Sequence, residues 1–447
     1  MNGFDGSVAA LNAKGNPMSR PRRDVLAGLG LAGLGLLPGV AAPLLAHAGE
    51  TVPRNAAGRV QPLRIGALFP ATGPLAAQGD ECLRGVRLAV ALSNQAGGVL
   101  GRPVQLVTGN AADPDRAVAE ARRLITEGPP VLILGTGAST LSLGATEVGE
   151  GSGIPYWELS ATAPGITTRG FRYLVRVCET ANAIADRALQ VATEFQPSFG
   201  PPQRTPIGIA VVFGNDTNGS TMAQLINAGA LARKMPAPEA IAYQADTADF
   251  SGIARRLQTL RPDVVIHHGD VDQVVLFYNA LETIHWKPRM LIGTSDAYQS
   301  SETATMVGGT FDGTVTIGAT PYRVDQRFAP QAAAVAQAYA AAYGGPPRSG
   351  ESLAHYAGTR LCLEALALAG SPDRDKLIAV VRKLDLPEGT LADGWGAVFG
   401  TGGQNTRAFA CASQWQGGAP VALLPRGAAA GTYSPRFQTM FGDLDKS

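Results

Sequence analysis

Short, nearly uninterrupted apolar runs alternate along this chain with stretches whose apolar residues recur at helical spacing, and few folds accommodate that rhythm. The runs Leu63–Phe69, Val104–Val107 and Val131–Leu134 are expected to be strands. A strand with one wet face alternates apolar and polar residues; a strand covered by helices on both faces does not, and parallel α/β sheets are where both faces are covered. Between the runs, Cys82, Val86, Ala89 and Val90 share one helical face, as do Ala117, Val118, Ala121, Leu124 and Ile125. Gly97 and Gly98 are placed to end the first helix, and Asp113 to cap the second with Pro114 at its first position.

A Pro-rich break at 196–206 precedes a second series of the same kind. Its expected strands are Ile207–Val212, Ile241–Tyr243, Val264–His267 and Met290–Ile292, with helices over 217–234, 250–260 and 271–284. Helices return at Ala332–Tyr343 and Ser352–Ala369, and a β-rich piece follows over 397–424. The Gly/Ala-rich residues from Pro425 to Ser447 are expected to form a loosely held tail. A chain of 447 residues can build two such α/β units.

Lys and Arg number 37 against 36 Asp and Glu, so the basic excess that attracts nucleic acid is missing. Cys82, Cys178, Cys362 and Cys411 are far apart with no Cys-x-x-Cys pair, so the spacing encodes neither a metal site nor a dense disulfide scaffold. Cys82 and Cys362 both fall on expected helices, and their pairing is left open.

The first 48 residues read as an export signal. Arg22 and Arg23 precede Val25 and Leu26, an apolar, glycine-diluted run reaches Leu37, and Ala46-His47-Ala48 offers a cleavage site. The paired arginines resemble a twin-arginine signal, with residues 1–17 before Met18 as an extension or a misplaced start. The apolar run is shorter than the ~20 residues needed to cross a bilayer. A soluble chain in the periplasm, cleaved near Ala48, is expected.

Catalytic motifs are absent. There is no Gly-x-x-x-x-Gly-Lys-[Ser/Thr] loop, and Gly135-Thr136-Gly137-Ala138 lacks the third glycine and the acidic partner of a dinucleotide loop. Gly293-Thr294-Ser295-Asp296-Ala297 approaches a nucleophile elbow but ends in alanine. His267 and His268 are neighbours on a strand and point to opposite faces, so they do not share a metal ion. No catalytic residue, metal or cofactor is expected, and a binding protein is favoured over an enzyme.

From Leu63 to Pro425 the chain resembles the type I periplasmic solute-binding proteins of the branched-chain amino acid (leucine/isoleucine/valine) family. The marks are Arg64-Ile65-Gly66, Thr72-Gly73-Pro74, Gly97-Gly98, Gly101-Arg102-Pro103, Asp113-Pro114, Gly153-Ile154-Pro155, Ser160-Ala161-Thr162-Ala163-Pro164, Arg169-Gly170-Phe171, Trp286-Lys287-Pro288 and Gln414-Trp415, in that order. The resemblance implies two Rossmann-like α/β lobes with parallel-rich sheets, joined by a hinge of three crossovers. Lobe 1 would take 63–179 and 321–392, and lobe 2 would take 180–320 and 393–424.

The resemblance also implies a site. Ser139, Ser160 and Thr162 fall where the family binds a ligand carboxylate. Hydroxyls and loop N–H groups can neutralise such an anion without an arginine. The ammonium half departs from the pattern: Ala181 stands where an aspartate is usual, with Glu179 two residues earlier, and Ser295 where an acid is usual, with Asp296 next. Gln78 and Asn218 replace two cleft aromatics. Asp296, Asp270 and Glu158 are the acids that could serve instead, and His268, Trp157 and Tyr298 could line an apolar subsite. The expected protein is a monomeric, non-enzymatic receptor that delivers a small carboxylate or amide to an ABC transporter permease. A sensor subunit docking on a membrane receptor stays open, as does a serine hydrolase using Ser139 or Ser295 with His268.

Overall fold

The computed structural model describes residue 53, residues 60–199 and residues 207–435. The export signal expected over 1–48 and the end of the tail lie outside the described residues.

The first series folds as β1 (Leu63–Phe69), α1 (Ala76–Gln95), β2 (Val104–Asn110), α2 (Pro114–Thr126), β3 (Ile133–Gly135), α3 (Ser139–Ser152), β4 (Tyr156–Glu158) and β5 (Leu174–Arg176). Its five strands lie parallel in the order β2-β1-β3-β4-β5. The apolar runs explain the layering, since successive residues of one strand feed opposite cores. Ile65, Ala67, Leu134, Trp157 and Val175 pack beneath one face, and Leu68, Ile133, Tyr156 and Leu174 beneath the other. The expected caps form: Asp113 accepts the N–H of Arg116 with Pro114 in the first turn, and Gly97 and Gly98 follow α1 with φ of 104° and 80°.

The chain then crosses to a second body: α4 (Ala181–Glu194), β6 (Ile209–Gly214), α5 (Thr217–Ala232), β7 (Glu239–Tyr243), α6 (Ser251–Leu260), β8 (Val264–His268), α7 (Val271–Thr283), β9 (Met290–Gly293), α8 (Ser301–Val307) and β10 (Val315–Gly318). It returns for α9 (Ala332–Tyr343), α10 (Glu351–Ala369) and α11 (Arg374–Val381), then crosses again to β11 (Cys411–Trp415) and β12 (Pro420–Leu424). The second sheet has seven strands in the order β12-β11-β10-β9-β8-β6-β7, antiparallel only at β10-β11-β12. One face packs on α4 and α5, the other on α6 and α7. Helices α9 and α10 lie on α1, and their apolar side chains share the core of the first sheet. The chain therefore passes three times between the two bodies.

Gly85 sets how closely α1 approaches α10: a Cβ there would stand 2.2 Å from the carbonyl oxygen of Ser352. The four cysteines are free and buried, so Cys82 and Cys362 are not joined.

The start of the expected tail is ordered against the second body. Gln414 receives the N–H of Ser434 on its carbonyl and donates its amide to the Ser434 carbonyl, and Tyr433 stacks on Phe195 at 4.8 Å between ring centroids. Polar composition misled here because one aromatic ring and a backbone clamp suffice to fix a short segment. No helix among the described residues is long and apolar enough to cross a membrane.

Candidate functional site

Parallel strands send all their C-terminal ends to one edge, and each following helix presents its free N–H groups there. The edges of the two sheets face each other across a cleft of about 340 Å³. The first body contributes Gln78 of α1, Ser139 at the start of α3, the loop Leu159–Ala163 after β4, and Glu179 on the first crossover. The second contributes Asp216 and Asn218 at the start of α5, His268 and Asp270 after β8, and Ser295 and Asp296 after β9. Eight of the residues singled out from the sequence, Gln78, Ser139, Ser160, Thr162, Asn218, His268, Ser295 and Asp296, line it.

The Ser139 hydroxyl accepts the N–H of Ala163 at 3.1 Å, which leaves its proton for the cleft. The Thr162 carbonyl accepts the N–H of Ala181, tying this loop to α4. The Ser160 hydroxyl faces His355 Nε2 at 3.4 Å. Ser139 stands in the first turn of α3, where helix N–H groups have no partner within the helix.

The second body differs in what its side chains have left to offer. Ser295 donates its proton to the Gly269 carbonyl at 2.6 Å, binding two strand-end loops together. Asp216 and Asp270 accept helix N–H groups as caps of α5 and α7. Asp296 is the acid turned to the opposite wall: its Oδ2 accepts from Gln78 Nε2 at 2.5 Å, and its Oδ1 from Gln299 at 3.3 Å. Both donors are neutral amides.

Three candidates leave the site. Trp157 is fully buried under the first sheet against Phe399. Tyr298 is fully buried behind β9, its hydroxyl 2.5 Å from His267 Nδ1. Glu158 is fully buried and braces the strand ends: its carboxylate accepts from the N–H groups of Thr136, Leu159, Ser160 and Ala161 and from the Ser142 hydroxyl. It braces the loop carrying Ser160 from behind and does not line the cleft.

Residues 348–351, which the sequence reading passed over, close the far end. Arg348 donates to Asp80 at 2.7 Å, to Glu81 at 3.0 Å and to Glu302 of α8 at 3.0 Å, and its carbonyl accepts from Ser301. It and the Gln78–Asp296 bond hold the two walls together. Glu351 also lines the cleft.

Seven carboxylates line the cleft against the single guanidinium of Arg348. Two are caps and two pair with Arg348, but among the described residues Glu179 and Asp296 make no ion pair. Burial, reinforced by Asp296 and Asp393, pushes the Glu179 carboxyl up to about 8; burial pushes Asp296 up to about 6 against the pull of the Gln78 amide. Burial holds His268 below the usual imidazole range. The cleft thus joins a hydroxyl and N–H corner to a wall of acids lacking cationic partners.

The family model of the periplasmic binding proteins matches residues 62–419. The Leu/Ile/Val-binding protein homolog 8 of Brucella abortus is 34% identical over 370 residues, covering 82% of this chain and 91% of the relative. Among solved structures, the leucine-binding protein LivK of Thermotoga maritima superposes with a TM-score of 0.69 at 19% identity, covering 81% of this chain and 97% of that one. LivJ of Streptococcus pneumoniae, in complex with isoleucine, gives 0.68 at 18% identity, covering 81% and 100%. A solute-binding protein of Rhodopseudomonas palustris, in complex with 3,4-dihydroxybenzoic acid, gives 0.66 at 20% identity, covering 79% and 92%.

Proposed function

Because this chain belongs to the periplasmic binding protein family, we propose that it is the solute receptor of an ABC importer, taking up a small α-amino acid or a close amide relative. The observation that carries this reading is a cleft that joins an anion corner on the first body to two acids without cationic partners, Asp296 on the second body and Glu179 on the first crossover. A carboxylate would sit on Ser139, Ser160, Thr162 and the first turn of α3. An ammonium would sit against Asp296 and Glu179, supplying the charge those acids lack. The acids the family pattern misses at Ala181 and Ser295 are thereby replaced from neighbouring positions. The curated relatives are named for leucine, isoleucine and valine, which fits a cleft of this size.

Function would follow from closure. A solute touching both walls favours the closed arrangement by its differential affinity for it, and a permease that reads the closed form is thereby told that cargo is present. The receptor acts as a monomer, exported by its N-terminal signal, and has no catalytic role of its own. Ser295 is not poised as a nucleophile, because its hydroxyl donates to the Gly269 carbonyl.

The test is a thermal-shift screen of branched-chain and aromatic amino acids, their amides and their 2-keto analogues, since a ligand of the folded state raises Tm by mass action. Amino acids are expected to raise Tm and 2-keto acids to do so less; a shift with keto acids alone would overturn the ammonium assignment. Ser139→Ala and Thr162→Ala are each expected to weaken binding by about 1–3 kcal/mol by calorimetry. Unchanged affinity in both would remove the anion corner.

A further inference from the structure

Behind the anion corner, Cys82 of α1 meets Glu351 and His355 of α10, and one donor atom from each lies within 4.8 Å of the others. Glu351 and His355 stand four residues apart and so share a helix face, while the contact of α1 with α10 at Gly85 brings the thiol to them. The Cys82 sulfur is 3.9 Å from Glu351 Oε2. His355 Nδ1 lies 2.8 Å from the Glu351 carbonyl and 3.6 Å from Glu351 Oε2, while Nε2 faces the Ser160 hydroxyl at 3.4 Å. All three side chains are buried, yet the cluster is not sealed: Glu351 and Ser160, which faces His355 Nε2, both line the cleft.

We propose that Cys82, Glu351 and His355 bind a divalent transition-metal ion of the Zn²⁺ or Co²⁺ class, with its fourth position open to the cleft. Burial keeps protons on the Cys82 thiol and the Glu351 carboxyl in the metal-free protein, so the ion would bind by releasing them, and a sulfur, a nitrogen and an oxygen suit a borderline-soft cation rather than Ca²⁺ or Mg²⁺. Tetrahedral bonds to such an ion place donors roughly 3.3–3.8 Å apart, so modest side-chain rotations would close the cluster. Among the described residues, the ion-pair contact of Glu351 is His355 Nδ1. Glu351 lines the cleft, so a solute carboxylate seated there would complete the coordination. That last element rests on the receptor reading; the ion site itself does not.

The experiment titrates the untagged protein, stripped with chelator, with Co²⁺. A sulfur-to-cobalt charge-transfer band and intense visible bands of tetrahedral cobalt are expected, both displaced by Zn²⁺. Cys82→Ser should abolish the charge-transfer band, and Glu351→Gln should weaken Co²⁺ binding at least tenfold, while Cys362→Ser, at another buried thiol of α10, changes neither. Absence of the band in folded wild-type protein, or its survival in Cys82→Ser, would overturn the site. Should Cys82→Ser not fold, Glu351→Gln decides: unchanged Co²⁺ affinity overturns it. Adding a solute identified by thermal shift should move the visible bands. If that solute raises Tm but leaves the bands unmoved, the open position is refuted while the receptor reading stands.

Discussion

Arg176→Met should destabilise the protein by about 3–5 kcal/mol and erase any solute-induced thermal shift. Arg176 ends β5 with 1% of its surface exposed. Its Nη1 donates to the carbonyls of Ala161 at 3.2 Å and Ala163 at 2.6 Å, its Nη2 to the Thr167 hydroxyl at 3.0 Å, and its Nε to Gln404. Gln404 in turn donates to the Cys178 carbonyl at 2.8 Å. One guanidinium thus fixes the loop carrying Ser160 and Thr162 and joins it to two of the three crossovers. Removing it strands several buried acceptors, and each such group costs about 1–3 kcal/mol. Arg176→Lys should recover only part of the loss, because an ammonium cannot span that fork of acceptors. Urea denaturation checks both variants, and an unchanged midpoint for Arg176→Met would show that the loop is held by other means.

The second large effect concerns pH. A carboxyl whose pKa is higher in the folded chain keeps its proton more tightly there, so its contribution favours folding at low pH and fades as pH rises. For Glu179 the window runs from its ordinary value of 4.5 to about 8, and Asp296 adds to it between 3.8 and about 6. The solute-free protein should therefore lose stability between pH 5 and pH 8, with Glu179 contributing on the order of 2–4 kcal/mol. Glu179→Gln should flatten that fall. Equal slopes for the two proteins in denaturant titrations across this range would show that water already solvates Glu179. The same acids predict opposite behaviour for two classes of solute. An ammonium-bearing solute should bind more tightly as pH rises through 6 to 8, while an acid lacking the ammonium should bind more weakly.

Much of this architecture was legible because the determinant was local. Continuous apolar runs dictated doubly covered strands, and Asp113-Pro114 and Gly97-Gly98 marked helix ends with residues chosen by backbone chemistry. The strand-end side chains Ser139, Ser160, Thr162 and Asp296 were reached through the family resemblance, and they meet because in a parallel sheet the residues after each strand converge whatever lies between them. Trp157, Tyr298 and Glu158 were misread because one residue of displacement along a strand or strand-end loop decides whether a side chain enters the cleft or the core. Trp157 and Glu158 sit beside each other on β4 with both faces covered, so neither reaches solvent. Arg348 and Glu351 were missed for the opposite reason. They arrive after the second crossing of the chain, far from every strand end of the first sheet, and only the packing of α10 on α1 delivers them.

The four buried thiols give the native protein an unusual relation to oxidants. Burial holds every one of them well above the ordinary thiol range, so the folded chain presents almost no thiolate to a disulfide reagent. Unfolding exposes all four at once. In an oxidising medium each excursion away from the native state then risks a covalent tangle from which the chain does not return, and its lifetime is governed by how rarely it opens rather than by how stable it is at equilibrium. The same property makes the thiols a built-in clock, since the rate at which a reagent consumes them reads the opening of the fold.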